Sequence, residues 1–257
     1  MENRFDIFEV NPSNVDQCGF FCYMSKPKSP GYRQKREWLE KRFAEGLKIK
    51  IVHEHGGRDT AFIEYIPGEY AWRAVHAPGY LVIHCLWVVG KGKGKGYGSL
   101  LVQSCIEDAR QQGKHGVVMV SSDGTWLAGK KIFLKNEFVQ TDQAPPAFQL
   151  LVHRFDDAPT PTFPQDWQNR QSGFGDGLTI IRTAQCPYIE NTSNGFLGLA
   201  TELDIPVKVV EFTSAAEVRE YSPSPYGVFN VVFQQQLLTY TWLDRETLIK
   251  RIYALKR

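Results

Sequence analysis

The densest concentration of chemistry lies in Leu86-Trp-Val-Val-Gly-Lys-Gly-Lys-Gly-Lys-Gly-Tyr-Gly-Ser-Leu-Leu101. An apolar run enters a turn in which glycine and lysine alternate, and Leu101, Cys105 and Ala109 recur behind it at helical spacing. Glycine has no Cβ, so backbone N–H groups there can approach an anion closely. A helix opening at the same point adds its partial positive charge. The expectation is a cradle for a pyrophosphate. Two familiar cradles are excluded by spacing. The dinucleotide fingerprint needs glycine at i, i+2 and i+5, a triple that does not occur here. The P-loop needs Gly-Lys followed by Ser or Thr, and each Gly-Lys in this run is followed by Gly. The plainer alternative is a solvated, flexible surface loop.

The elements that must hold this loop can be read around it. Tyr80 to Val88 reads as a buried central strand and Gly116 to Ser121 as another. Leu101, Cys105 and Ala109 lie on a helix ended by Gly113. Tyr32 to Gly46 reads as a helix anchored by Trp38, Leu39 and Phe43, with Lys48–His55 and Thr60–Ile66 as a hairpin around Gly56-Gly57. Trp126 to Lys135 reads as a further helix. Between Phe155 and Gly177, prolines, glycines and polar residues make a linker, 156–175. This separates residues 1–155 from a second unit, 176–257. That unit reads as a strand at Leu178–Thr183, a helix at Tyr188–Leu203, and a strand at Val207–Phe212. A short helix near Ala215 follows, then a hairpin of Val228–Phe233 and Leu237–Thr241. A last helix starts from Asp244 as N-cap, giving the order β-α-β-α-β-β-α.

The chain has 257 residues, 42% hydrophobic and 23% charged, enough for two cores and too apolar for general disorder. Thirty basic against 28 acidic residues leave a net charge of +2, which is no footprint for nucleic acid. No apolar run reaches membrane-spanning length and the N-terminus has no signal-peptide pattern, so a cytoplasmic protein with no membrane partner is expected. The five cysteines, Cys18, Cys22, Cys85, Cys105 and Cys186, are odd in number and are expected to be reduced. Cys18 and Cys22 would share a face if that segment were helical, and His53 or His55 could join them on a metal. No second spaced pair completes such a site, and no metal is expected.

The run Lys93-Gly94-Lys95-Gly96-Tyr97-Gly98 resembles the acetyl-coenzyme A loop of GNAT-family N-acetyltransferases, in which Arg or Gln, two residues, Gly, one residue, then Gly or Ala recur. Lys93 departs from that pattern, keeping the charge but losing the bidentate fork. The later Phe133-Leu-Lys-Asn-Glu-Phe138 resembles the family's late helix. With Phe62-Ile-Glu-Tyr-Ile-Pro67, Cys85-Leu-Trp-Val88, Ala144-Pro-Pro146 and Gln185-Cys-Pro-Tyr188, the whole chain resembles the GNAT subgroup carrying a C-terminal YoaP-like domain. The resemblance implies an α/β (α+β) fold, with a mixed central sheet flanked by helices and a small thioredoxin-like C-terminal domain. It implies acetyl-CoA as co-substrate, held by Leu86, Trp87, Val88, Lys93, Gly94, Lys95, Gly96, Tyr97, Gly98 and Ser99. Leu86 and Val88 would pair with the pantetheine arm through their backbone, with a Val88 N–H near the thioester oxygen. Lys91, Lys93 and Lys95 would either meet the coenzyme's 3′-phosphate or simply be solvated.

Direct acetyl transfer needs a deprotonated amine, a stabilised oxyanion and a protonated leaving thiolate. Glu64 is the candidate base, a carboxylate within an apolar strand that could titrate high or hold a water. Its alternative is the solvent face of an alternating strand. His84 is the second candidate, against a hydrogen-bonded core role. The family's acid, a Tyr on the late helix, aligns here with Phe133, which has no proton to give; Cys85 and Tyr97 are the candidate replacements. Trp72, Trp87 and Trp126 could line an acceptor pocket, with core packing expected for at least two of them.

Cys186-Pro187-Tyr188, between a strand and a helix, resembles the glutaredoxin branch of the thioredoxin-like fold. Ile189 stands where a second cysteine would complete a dithiol. Pro225 is the candidate for that fold's cis-proline. Cys186 is thus a candidate thiol site, in a module otherwise suited to substrate binding or dimerisation. The combined reading is an N-acetyltransferase moving acetyl from acetyl-CoA to an amine of a small molecule, in a ternary complex. A homodimer is left open. The rivals are a thiol-redox or conjugate-sensing protein centred on Cys186 and a non-catalytic acyl-CoA-binding module.

Overall fold

The computed structural model of the chain describes residues 4–124 and 126–255. The chain divides into two compact units. One holds the N-terminal residues through Ser25, Leu39–Ala71 and His76–Thr162; the other holds Lys26–Trp38, Trp72–Val75 and residues from Phe163 onward.

The first unit is built on a seven-stranded sheet. Its elements in chain order are β1 (Phe5–Val10), α1 (Val15–Cys18), α2 (Pro30–Ala44, which the division crosses), β2 (Lys48–Glu54), β3 (Asp59–Pro67), β4 (Leu81–Val88), α3 (Tyr97–Gln111), β5 (Gly116–Ser122), α4 (Lys130–Lys135), β6 (Val139–Ala144) and β7 (Phe148–Arg154). Spatial order is β1-β2-β3-β4-β5-β7-β6. Only β4 and β5 are parallel, because α3 crosses between them. The hairpin around Gly56 (φ +69°) forms as expected. Apolar residues of β3, β4 and β5, among them Ile63, Ile83 and Met119, meet Leu101, Val102 and Cys105 of α3 and Phe133 of α4 in one core.

The first unit differs from the expectation in four places. β1 and the β6–β7 hairpin have no counterpart in the sequence reading. β6 is exposed along most of its length, so it carries little apolar alternation. The helix expected from Trp126 begins only at Lys130. Trp126 sits at φ +84° and Gly129 is extended, which stops the helix from reaching further back. Cys18 and Cys22 do not share a helix face, since α1 ends at Cys18 and Cys22 lies in the turn beyond.

The second unit contains α5 (Trp167–Ser172), β8 (Leu178–Arg182), α6 (Ile189–Glu202), β9 (Val207–Glu211), α7 (Ala215–Tyr221), β10 (Phe229–Phe233), β11 (Gln236–Thr239) and α8 (Arg245–Leu255). The four-strand order is β11-β10-β8-β9, with β8 and β9 parallel and the other pairs antiparallel. Ser214 caps α7 in a reciprocal capping box with Glu217, and Asp244 accepts the Thr247 N–H at the start of α8. The stretch 156–175 carries α5, and its Phe163 and Trp167 are buried. Among the described residues the cis peptide is Pro145–Pro146; the bond to Pro225 is trans, correcting that expectation.

Candidate active site

β4 organises the site through two irregularities. Its parallel ladder with β5 consists of Leu81–Val117, Val82–Val118 and Ile83–Met119, while both strands continue well past those pairs. The two strands therefore part after Ile83. On its other side β4 stays paired to β3 through Val88, but Glu64 opposes Cys85 and Tyr65 opposes Ile83. His84 is thus one extra residue, a β-bulge located where the strands separate.

The bulge sets which side chains share a face, because directly opposed residues project to the same side of a sheet. Ile63, Leu86, Ala61 and Val88 face α3, where the first three are buried and Val88 packs partly buried. Phe62, Glu64, Cys85 and Trp87 face the other way. There the His84 ring meets Glu64, Nδ1 to Oε1 at 3.2 Å. Glu64 is only 3% exposed and His84 1%, which removes the alternative that Glu64 lies on the solvent face. Cys85 is half-buried.

The free edge of β4 leads straight into the glycine loop. Val89 donates its N–H to Thr60 O on the β3 side, at 2.8 Å. Alternation along the strand then turns the N–H groups of Val88 and Leu86 toward the edge that β5 has left. In the loop, Gly94 and Gly96 stand at φ +81° and +85°, conformations natural to glycine, and no atom lies near where a Cβ would sit. Their backbone is open to a bound anion, and Gly96 is the N-cap of α3. Gly98 has another reason: a Cβ there would lie 2.5 Å from Ile132 Cδ1, so the glycine lets α3 approach α4.

The lysines separate into two kinds. Lys91 and Lys93 are exposed. Lys95 is committed to Glu54 (Nζ–Oε1 2.7 Å), which holds the Glu54 carboxyl below its usual range. Tyr97 is buried against Phe5, ring centroids 5.1 Å apart. Burial, then its bond to Glu54, raises its phenol, so Tyr97 holds its proton firmly. Ser99 accepts a hydrogen bond from Asn136 Nδ2, joining α3 to the end of α4. Phe133 is fully buried against Phe138. Trp72 is buried in the second unit, Trp126 is half-buried and Trp87 is 43% exposed.

A group that the sequence reading did not find supports this face from behind. Asp108 of α3 accepts from Lys48 Nζ, Lys50 Nζ and Tyr65 Oη at 2.8, 2.8 and 2.5 Å. Burial pushes its carboxyl up, but these bonds outweigh it and hold the group below the ordinary Asp range. Burial and the neighbouring Cys105 and Asp108 keep Tyr65 protonated. The Lys-x-Lys spacing on a strand was the signal for this cluster; its partner lies a long way off in sequence.

Cys186 is half-buried in the turn before α6, with the Ile189 N–H donated to its carbonyl. His53 and His55 are engaged with Asp59 and Asp6. Among the described residues, no group of three or more His, Cys, Asp or Glu converges as a metal site would require, and no helix is long and apolar enough to cross a membrane.

A profile of the acetyltransferase (GNAT) family matches residues 17–125. The uncharacterized N-acetyltransferase YoaP of Bacillus subtilis (strain 168) is 30% identical over 237 residues, spanning 90% of this chain and 92% of that protein. Among solved structures, the Salmonella typhimurium putative acetyltransferase yncA with acetyl-CoA aligns at TM-score 0.45 and 17% identity, over 62% of this chain and 98% of that one. Escherichia coli YhbS, a GNAT-family N-acetyltransferase in complex with CoA, aligns at TM-score 0.42 and 15% identity, over 63% of this chain and 91% of that one. On its similarity along nearly the whole length to YoaP and on the profile match, the chain belongs to the GNAT acetyltransferase family.

Proposed function

We propose that the protein is an acetyl-CoA-dependent N-acetyltransferase that acts on an amine of a small molecule by direct transfer. The observation that carries this reading is the coincidence on β4 of the strand separation, the His84 bulge and the buried Glu64–His84 pair, upstream of an open glycine loop. Leu86 and Val88 would hold the pantetheine arm, and Gly94, Gly96 and the α3 N-terminus the pyrophosphate. Trp87 and the exposed Lys91 and Lys93 flank them. Acetyl-CoA, when bound, supplies the activated acetyl group. Glu64 takes the amine proton, directly or through a water, and His84 orients the carboxylate and shares the charge. Cys85, beside that pair and half-buried, remains the candidate proton donor to the leaving sulfur, since Phe133 has no hydroxyl and Tyr97 is tied to Glu54.

We further propose that residues 176–257 form a thioredoxin-like, YoaP-like module. In its support, the first strand of that unit lies between the second and third, and the fourth follows the third, an order shared by that fold. Without a second cysteine the module suits acceptor binding better than dithiol exchange. Loss of activity in Cys186→Ser together with a harmless Glu64→Gln would instead favour thiol chemistry.

The direct test is calorimetric titration with acetyl-CoA of the parent and of Gly96→Glu. Micromolar binding, lost in the variant, is expected. Absence of binding by the parent overturns the reading, and binding without turnover on any amine would leave an acyl-CoA-binding module.

A further inference from the structure

The turn that follows α1 carries an unusual backbone and an unusual ring. Phe21 stands at φ +74°, and the Cys22 N–H is donated to Phe20 O at 2.9 Å across it. That is a γ-turn centred on a residue with a bulky side chain in the left-handed region, a rare and strained arrangement. Tyr23 follows at φ +62°. Strain of this kind persists only where the surroundings hold it in place. Here the Phe21 ring stacks on Phe62 at 4.7 Å and 28°, and meets Trp87 edge-on at 6.1 Å.

Phe62 is buried and Trp87 is 43% exposed, so the cluster has a covered floor and an open aromatic wall. Phe62 and Trp87 oppose each other across β3 and β4, two residues along from the opposed Glu64 and Cys85. Two residues of strand span about 7 Å. One face of one ribbon therefore offers a flat π surface and, about 7 Å away, a carboxylate.

We propose that the acceptor is an arylalkylamine: a primary amine separated from an aromatic ring by a short carbon chain. Its ring lies against Trp87 and Phe21, and its amine reaches the Glu64–His84 pair. This rests on the acetyltransferase reading for its chemistry and deepens it by naming the acceptor class. Phe21 acts in specificity, presenting its ring through the strained turn.

The test is equilibrium binding to the full chain, in the presence of CoA, of 2-phenylethylamine, 2-cyclohexylethylamine and hexylamine, read by calorimetry and by quenching of tryptophan fluorescence. Aromatic pairing of this kind is worth roughly three- to tenfold in affinity. The aryl amine is expected to bind about tenfold tighter than both controls. That preference should fall to about twofold in Phe21→Leu, which keeps the apolar bulk, and in Trp87→Leu, with melting curves confirming that each variant folds. Equal binding of the three amines, no amine binding, or a preference unchanged in both variants overturns the proposal. Acetyl transfer to the same amines is followed separately. Aryl-selective binding without transfer would sink the acetyltransferase reading alone, whereas transfer without aryl preference would sink only the acceptor class.

Discussion

His84 Nδ1 lies 3.2 Å from Glu64 Oε1, and the two side chains are only 0% and 4% exposed. Burying a carboxylate is costly unless a hydrogen-bonding partner offsets it, as the imidazole does here, and the strand bulge that brings the two together coincides with the opening of the sheet. Glu64→Gln keeps the shape and removes the charge. Its kcat should fall by roughly 10²- to 10⁴-fold, the usual worth of a positioned base. Acetyl-CoA titration should be unchanged, and a parent-like rate would show that Glu64 does not take the proton.

Gly96 caps α3 at φ +85° with open space around it. Gly96→Ala therefore meets no clash, only the left-handed penalty of about 1–2 kcal/mol. The loop is expected to relax into another conformation rather than the helix to unfold. Acetyl-CoA affinity should drop about tenfold, at about 1.4 kcal/mol, with a small change in Tm. Unchanged affinity would mean that the loop geometry does not govern coenzyme binding.

Asp108 gives the pH dependence a sign. Its folded-state pKa is depressed, so its stabilisation is present above its unfolded value near 3.9 and is lost as pH falls through the lower folded value. Asp108→Asn should cost about 3 kcal/mol at neutral pH, because Lys48 and Lys50 lose their counter-charge and the amide offers one acceptor oxygen where Lys48, Lys50 and Tyr65 had two. Denaturant melts of parent and variant should converge as the pH drops below about 4. A constant difference down to pH 2 would show that the carboxylate charge is not what holds this cluster.

Gly31, in the first turn of α2, sits so close to the Cys186–Tyr188 turn that a Cβ would lie 2.2 Å from Pro187 O. A backbone oxygen cannot step aside as a flexible side-chain end can. Gly31→Ala should destabilise by about 1–3 kcal/mol and change the alkylation rate of Cys186 by iodoacetamide. A variant with parent-like melting and thiol reactivity would show that the two segments do not touch in solution.

The strand-loop-helix around the glycines was legible because its signals are local: an apolar run, φ-permissive residues and a helical stripe. β8 to α8 was legible for the same reason. The bulge at His84 was not, since nothing in Val82-Ile-His-Cys-Leu86 marks which residue is surplus; only pairing with β3 decides it. The Phe21 turn was also hidden, because a bulky residue at positive φ runs against propensity. Lys26–Trp38 and Trp72–Val75 group with the residues from Phe163 onward, a non-local choice that no composition shift announces.

The surplus residue in β4 has a consequence for how this chain can vary. Side chains alternate with period two, so an inserted position reverses the phase of a strand on one side of it. The bulge absorbs that reversal: Ile83 and Leu86 are three apart in sequence, yet both face the α3 core, while Trp87 faces away. Deleting His84 would leave the same partners across β3 in a regular ladder and the interior intact. The sheet would be tidier and only the imidazole against Glu64 would be lost. The extra position is thus dispensable to the architecture and answers to the site alone.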